Sequence, residues 1–347
     1  MKANQTDTFG VFKEQEVLRV RLTTDSGYQI AVMNYGATLL EYVTPDKEGN
    51  FSNVVLNFED FDAYIGNSPR FGASIGPVAG RIAGAHFQLD GQAFQLEANN
   101  GSNHLHGGSD GFESTLFEIE EVTDSSVTFY TKRSDGVGGY PGNLEVWISF
   151  HLSEEGRITI SYRVTTDQDT LVNPTNHSYF NLSGDFSRLI DQEVLTLNHD
   201  GFYPISEEAI PQEKVETEAD FLDQLKEGVT FQEVFQSDHP QIKMVGGLDH
   251  PFVLSPKEGL AASILDPDSG RLLTLQTDAS HLVIYTANVY DEQTRVKGQA
   301  ARVHNGVALE CQERPDAIHH QALRDSVILR AHQAFESQTS YQVTIVY

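Results

Sequence analysis

What most constrains this chain is the spacing of its apolar residues, which in several short runs fall at every second position. In Glu145-Val146-Trp147-Ile148-Ser149-Phe150-His151-Leu152 the residues Val146, Ile148, Phe150 and Leu152 share one face. Only an extended backbone puts residues two apart on the same side, so a half-buried strand is predicted there. Beyond a Glu155-Gly156 turn, Ile158, Ile160, Tyr162 and Val164 alternate with polar residues, and the two runs are predicted to form an antiparallel hairpin. The same period recurs in Leu18/Val20/Leu22, Tyr28/Ile30/Val32, Val127/Phe129 and Val343/Ile345/Tyr347, with turns at Asp25-Ser26-Gly27, Asp90-Gly91 and Ser269-Gly270. Helical spacing is confined to Glu216 to Glu233, where Phe221, Leu222 and Leu225 are predicted to face inward. No strand–helix–strand repeat, Pro/Gly/Ser-rich linker or fixed-period repeat divides the chain. The expectation is one all-β domain of antiparallel sheets over residues 1–347.

A chain of 347 residues that is 39% hydrophobic can bury a substantial core. Fifty acidic against 23 basic residues give a formal charge of −27, which repels phosphate backbones and anionic lipid, so no nucleic acid or membrane partner is expected. Cys311 is the only cysteine, so no internal disulfide forms, and no Cys/His zinc spacing exists. The start, MKANQTDTFGVF, lacks an apolar leader run, and no apolar stretch reaches the length of a membrane span. A cytoplasmic location is the default expectation, and a homodimer is compatible with the sequence.

Candidate chemistry gathers in the segments between strands. Arg81 stands alone among small and apolar residues in Gly76-Pro77-Val78-Ala79-Gly80-Arg81-Ile82, where a partly buried guanidinium either donates to ligand oxygens or makes a structural ion pair. His104 and His106 lie two apart before Gly107-Gly108, so an extended strand would aim both to one face, toward a metal or a hydrogen-bonded loop. A metal-binding cupin would place a glutamate a few residues after this His-x-His, and here Asp110 and Gly111 occupy that stretch. His177, among Asn173, Asn176 and Ser178, is either a proton-transfer group locked in one tautomer by its neighbours or a structural histidine capping a turn. Glu310 follows Val307-Ala308-Leu309, so it is expected to end a strand at a sheet edge or in a cleft, where partial burial would raise its pKa. Asp249, between Gly246-Gly247 and Pro251, serves equally well as a turn former.

Taken in order, these segments resemble the aldose 1-epimerase (galactose mutarotase) family. Its hallmarks include an arginine in a small-residue segment, a His-Gly-Gly, an Asn-His-Ser-Tyr-Phe-Asn-Leu run, a Leu-Asp-His-Pro and a late glutamate. The resemblance runs from Gly36 to Ala317, and Asn173 to Leu182 is its most specific piece. It implies a single-domain antiparallel β-supersandwich of the galactose mutarotase type that needs no cofactor or metal and takes a free sugar as substrate. It also implies that Arg81, His106 and Asp249 hold sugar hydroxyls, that Tyr285 lines the pocket, that His177 is the general acid and that Glu310 is the general base. Many family members carry asparagine immediately before the arginine, where this chain has Gly80.

The reaction so implied is interconversion of the α and β anomers of galactose or glucose by ring opening and closure. One proton leaves the C1 hydroxyl while another reaches the ring oxygen. With Glu310 as the carboxylate base, the rate is expected to fall in acid as that group protonates. Two other readings use the same residues. One is a metal-dependent cupin-like sugar isomerase holding its ion with His104, His106, His177 and Glu310. The other is a sugar-binding module of the same fold without catalysis.

Overall fold

The computed structural model describes residues 5–66, 69–186, 188–255 and 259–347, and in it the alternating runs become the strands their period predicts. Leu144–Leu152 and Ile158–Thr166 pair antiparallel, with Ile148 opposite Tyr162 and Phe150 opposite Ile160. Their apolar residues enter the main core, while His151 and Arg163 on the other face are exposed. Each fully buried side chain of this kind contributes about 1.5–3 kcal/mol.

The hairpin lies within a nine-stranded antiparallel sheet. Its spatial order is Glu118–Val122, Ser126–Arg133, Leu144–Leu152, Ile158–Thr166, Ala334–Ile345, Arg271–Thr277, Ala262–Leu265, Val194–Leu197 and Val229–Thr230. A five-stranded sheet faces it, ordered Tyr179–Phe180, Val307–Gln312, His281–Tyr285, Asp249–Leu254 and His199–Phe202. The two layers share one apolar core, in which the Phe180 and Tyr341 rings sit 5.0 Å apart and Tyr341 Oη donates to the Leu309 carbonyl at 2.9 Å. The protein is thus an all-β sandwich. A second five-stranded sheet, from Gln5–Phe12 to Phe51–Asn53, is fastened to it by buried polar contacts. Tyr42 Oη donates to Gly156 O and accepts from Val343 N, while the Arg271 guanidinium donates to the carbonyls of Thr44, Pro45 and Leu182.

The five-stranded sheet that faces the core has two buried sides with different chemistry. Along Val307–Gln312 every residue is buried. Val307, Leu309 and Cys311 point into the core with Leu282, Ile284 and Phe252 of neighbouring strands. Ala308, Glu310 and Gln312 must then point the opposite way, together with Val283, Tyr285 and Asp249, which the register sets beside them. Glu310 therefore lies inside a strand rather than at its end, because the pairing continues through Gln312 opposite His281.

Other departures from the sequence expectations are local. The helix expected over Glu216 to Glu233 is split into Asp220–Glu227 and Phe231–Phe235, because Gly228, at φ 101°, stops the first and Val229–Thr230 joins the large sheet. Phe221, Leu222 and Leu225 are buried as expected. A further short helix, Pro240–Val245, carries no long apolar period and was not anticipated. The last strand ends at Ile345, leaving Tyr347 almost fully exposed. No helix among the described residues is long and apolar enough to cross a membrane; Met1 to Asn4, on which the expectation about a leader partly rests, lie outside the described residues.

Phe150→Ala is expected to lower unfolding free energy by about 3–5 kcal/mol, whereas His151→Ala, one position on and facing solvent, should stay within about 0.5 kcal/mol. Urea denaturation of both variants checks the alternation directly.

Candidate active site

The polar face of the five-stranded sheet floors a cavity of about 520 Å³, whose walls include Arg81, His106, His177, Asp249, Tyr285 and Glu310. The side chains singled out from the sequence for binding or catalysis thus converge on one space. Asp249 and Tyr285 are directly paired across adjacent strands, and Val283, two residues before Tyr285, pairs with Glu310. Asp249 opens a strand rather than forming a turn.

His177 reaches the cavity from the segment between Thr175–Asn176 and Tyr179–Phe180. Its backbone is clamped by the turn that precedes Ser74: His177 N donates to Ala73 O, and Gly72 N donates to His177 O. The neighbouring asparagines serve the backbone and do not lock the imidazole, which departs from the expectation. Asn176 bonds Gly72 O and Ser178, and Asn173 bonds the backbone of Glu313. The ring is held by packing, 5.0 Å from Tyr179 and 5.5 Å from His106, with Nε2 3.4 Å from Glu310 Oε1. Among the described residues neither His177 Nδ1 nor Glu310 Oε2 has a hydrogen-bond partner.

Burial dominates the protonation of this pair. Loss of water pushes Glu310 up to about 8, with the nearby Asp249 charge adding to the rise and Arg70 and Arg81 opposing it. The same desolvation pulls His177 down to about 3, helped by the Arg70 charge. Between those limits the pair carries one proton, and whichever group lacks it is a base.

His104 and His106 do not share a face. The short strand His104–Leu105 ends there, because His106 takes a left-handed backbone at φ 55°. His104 turns to the Glu97 carbonyl and the Tyr140 hydroxyl, each at 2.8 Å, and is structural. His106 is tied to the arginine segment: Leu105 pairs with Arg81, His106 N donates to Gly80 O, and Gly80 N donates to His106 Nδ1 at 3.1 Å. An imidazole nitrogen that accepts from a backbone N–H carries no proton, so in the neutral ring the proton sits on Nε2. Burial keeps that ring neutral, holding it well below the usual histidine range. His106 is therefore a hydrogen-bond donor toward the cavity.

That tautomer bears on the metal reading. Nitrogen and oxygen atoms of His106, His177 and Glu310 lie within 4.8 Å of one another, a spacing that could suit an ion. A ligand histidine needs a free lone pair, however, and His106 offers one only at Nδ1, already committed to Gly80. His104, the fourth expected ligand, is engaged elsewhere. The residues present fit a sugar better than a cation.

Position 80 is glycine here for a visible reason. At φ 73° its backbone is left-handed, and an added Cβ would stand 2.7 Å from Pro315 Cβ. Gly107 is as restricted, since a Cβ there would meet Gly76 O at 2.1 Å. Arg81 is oriented by Nε donating to Asn100 Oδ1 at 2.9 Å. Desolvation raises Asp249 against the lowering influence of Arg81, and it pushes Tyr285 up to about 12.

The sequence did not single out Arg70, Tyr179, Gln312 or Tyr290, which also line the cavity. Gln312 was accessible to the same alternation that orients Glu310, two residues earlier. Nothing local marked Arg70 or Tyr290.

Comparison with known proteins gives the same direction. A family model described as "Aldose 1-epimerase" matches residues 19–342. The galactose mutarotase of Bos taurus is 34% identical over 320 residues, 91% of either chain. The maltose epimerase of Levilactobacillus brevis is 35% identical over 347 residues, covering 96% of this chain and 97% of that one. The crystal structure of a galactose 1-epimerase from Lactobacillus acidophilus superposes with a TM-score of 0.88 over 99% of each chain at 24% identity, which speaks to the fold.

Nitrogen-15 spectra of histidine-labelled protein are expected to show His106 neutral and protonated on Nε2 at pH 6. A proton on Nδ1 would contradict the Gly80 contact.

Proposed function

The chain belongs to the aldose 1-epimerase family and interconverts the α and β anomers of aldoses, and from that premise we propose that Glu310 and His177 move the protons. The observation that carries this reading is one acid–base pair, both members buried in the cavity wall, with Nε2 and Oε1 3.4 Å apart.

Ring opening takes the proton from the C1 hydroxyl and supplies one to the ring oxygen. With the pair as imidazolium and carboxylate, Glu310 accepts the first and His177 gives the second, leaving an open-chain aldehyde beside a neutral pair. Half a turn about C1–C2 presents the other carbonyl face. Glu310 then returns its proton to O1 as His177 takes one from the C5 hydroxyl, and the ring closes as the other anomer. The neutral pair that accompanies the aldehyde is the form that burial favours, so the transfer is not opposed by loss of a solvated ion pair. Arg81, Asp249 and the His106 Nε2–H hold sugar hydroxyls, and Tyr285 presents an aromatic wall. These steps use side chains of the chain alone.

The sequence-based expectation is a rate that falls in acid as Glu310 protonates; with the pair buried, we place that fall near pH 3, where the pair takes up its second proton. Below about 3 both groups hold protons and the base is lost; above about 8 neither does and the acid is lost. Between those limits the pair holds a single proton, and the share of it in the imidazolium–carboxylate form that starts ring opening does not change with pH.

For substrate, we favour free galactose or glucose. A larger reducing sugar is a second reading, favoured by the cavity's apolar mouth, where Val289 and Met244 are 75% and 40% exposed. Exposed apolar side chains at a polar cleft suit the ring face of a second sugar unit. The L. brevis relative is named for maltose. The reading further takes residues 1–347 as one cytoplasmic domain, acting without nucleic acid or membrane, and leaves self-association into a homodimer to sedimentation.

Polarimetry of freshly dissolved α-D-glucose, α-D-galactose and maltose tests the proposal. Glu310→Gln and His177→Gln are each expected to slow catalysed relaxation about 10²–10⁴-fold. The wild-type rate should be flat from about pH 4 to pH 7 and fall as pH passes about 8. Full activity in Glu310→Gln would overturn the assignment.

A further inference from the structure

Arg70 is a cavity residue that neither the expected sugar contacts nor the proton transfers employ. Its Nε lies 3.1 Å from Glu113 Oε2, and both side chains are about four-fifths covered. The arginine adopts a left-handed backbone at φ 58° and accepts a turn hydrogen bond from Ala73 N. Gly72 and Ala73, the next residues but one and two, are those that clamp the His177 backbone, and Asn176 Nδ2 adds a third contact at Gly72 O. The backbones that carry the guanidinium and the imidazole thus belong to one small hydrogen-bonded unit, and the guanidinium itself is anchored at Glu113.

Resting on the acid–base reading above, we propose that Arg70, anchored by Glu113, is a positioning residue whose fixed positive charge keeps a second proton off the His177–Glu310 pair. The doubly protonated pair has no base and cannot start ring opening. A chain with a formal charge of −27 draws protons toward its interior, and Asp249 does so locally beside Glu310. A guanidinium stays charged throughout the working range and, unlike a second histidine, does not titrate with the groups it controls.

Among the described residues, His177 faces Glu310, His106, Tyr179 and Arg70; Glu310 faces His177, Asp249, Arg81, Arg70, Tyr179 and Tyr285, and its charge also reaches the buried Cys311 thiol and Tyr341 hydroxyl. After burial, Arg70 is the largest charge acting on both His177 and His106, and in each case it opposes protonation. For Glu310 it works with Arg81 against Asp249. Its removal should therefore raise both limits of the single-proton window together, a signature that loss of a merely structural arginine would not give.

The test compares wild type with Arg70→Met, Arg70→Gln and Arg70→Lys. Mutarotation of α-D-glucose is followed from pH 3.5 to pH 9, and His177 and His106 are titrated by nitrogen-15 NMR. The neutral variants are expected to move the acid limb of kcat/KM up by about one pH unit, with roughly tenfold tighter proton binding at His177, while Arg70→Lys restores most of the wild-type profile. A uniform rate loss with no displacement of either limb, and histidine titrations unchanged, would overturn the proposal. The NMR arm reads Arg70 even if the wild type proves inactive on sugars, so failure of the function and failure of this inference are separable. If Arg70→Met does not fold, Arg70→Gln and Arg70→Lys still differ in charge and decide the matter.

Discussion

The arrangement depends on one constraint: a carboxyl and an imidazole are held together on the buried face of a sheet, away from water. Left in solvent, Glu310 and His177 would sit at their ordinary pKa values and be competent only in a narrow interval between them. Desolvation drives the two in opposite directions and widens that interval, from about 3 to about 8. The same burial favours the neutral form of the pair, which is the form that stands beside the open-chain aldehyde.

A β-sandwich supplies this setting economically. Strand Val307–Gln312 has one row of side chains in the common core and the other in the cavity, so core packing and catalytic placement are two faces of a single pleat. Because side chains alternate, a slip of one residue in its pairing would put Glu310 into the core and Leu309 into the cavity. The apolar row, with Leu309 and Cys311 packed against the nine-stranded sheet, fixes that register strongly. On the opposite wall, precision comes from backbone hydrogen bonds: Gly80 orients His106, and the Gly72–Ala73 turn holds His177. The glycines at 80 and 107 are required because left-handed backbone and close neighbours leave no room for a Cβ.

Much of this was legible from the residues. The two-residue period gave the Leu144–Leu152 hairpin and the antiparallel class, because a buried face imposes its own spacing on the sequence. Asn173 to Leu182, with Arg81, His106, Asp249 and Glu310, marked the site through resemblance to a family. Contacts between distant segments were not legible. That His104 would turn away to Tyr140, that Asn173 and Asn176 would serve the backbone, and that Arg70 would stand beside His177 depend on pairings far apart in sequence. Nor can residue types alone reveal that Glu310 lies above His177 in pKa, since burial is a property of the fold.

The central claim is that one proton is shared by a desolvated Glu310–His177 pair. It is tested most directly by infrared difference spectroscopy of wild type against Glu310→Gln, with carbon-13-labelled glutamate, across the pH range. The account predicts a protonated carboxyl band from Glu310 at pH 6 that disappears as pH rises through about 8. An ionised Glu310 at pH 6, with its proton taken up only near the usual carboxylate range, would contradict it.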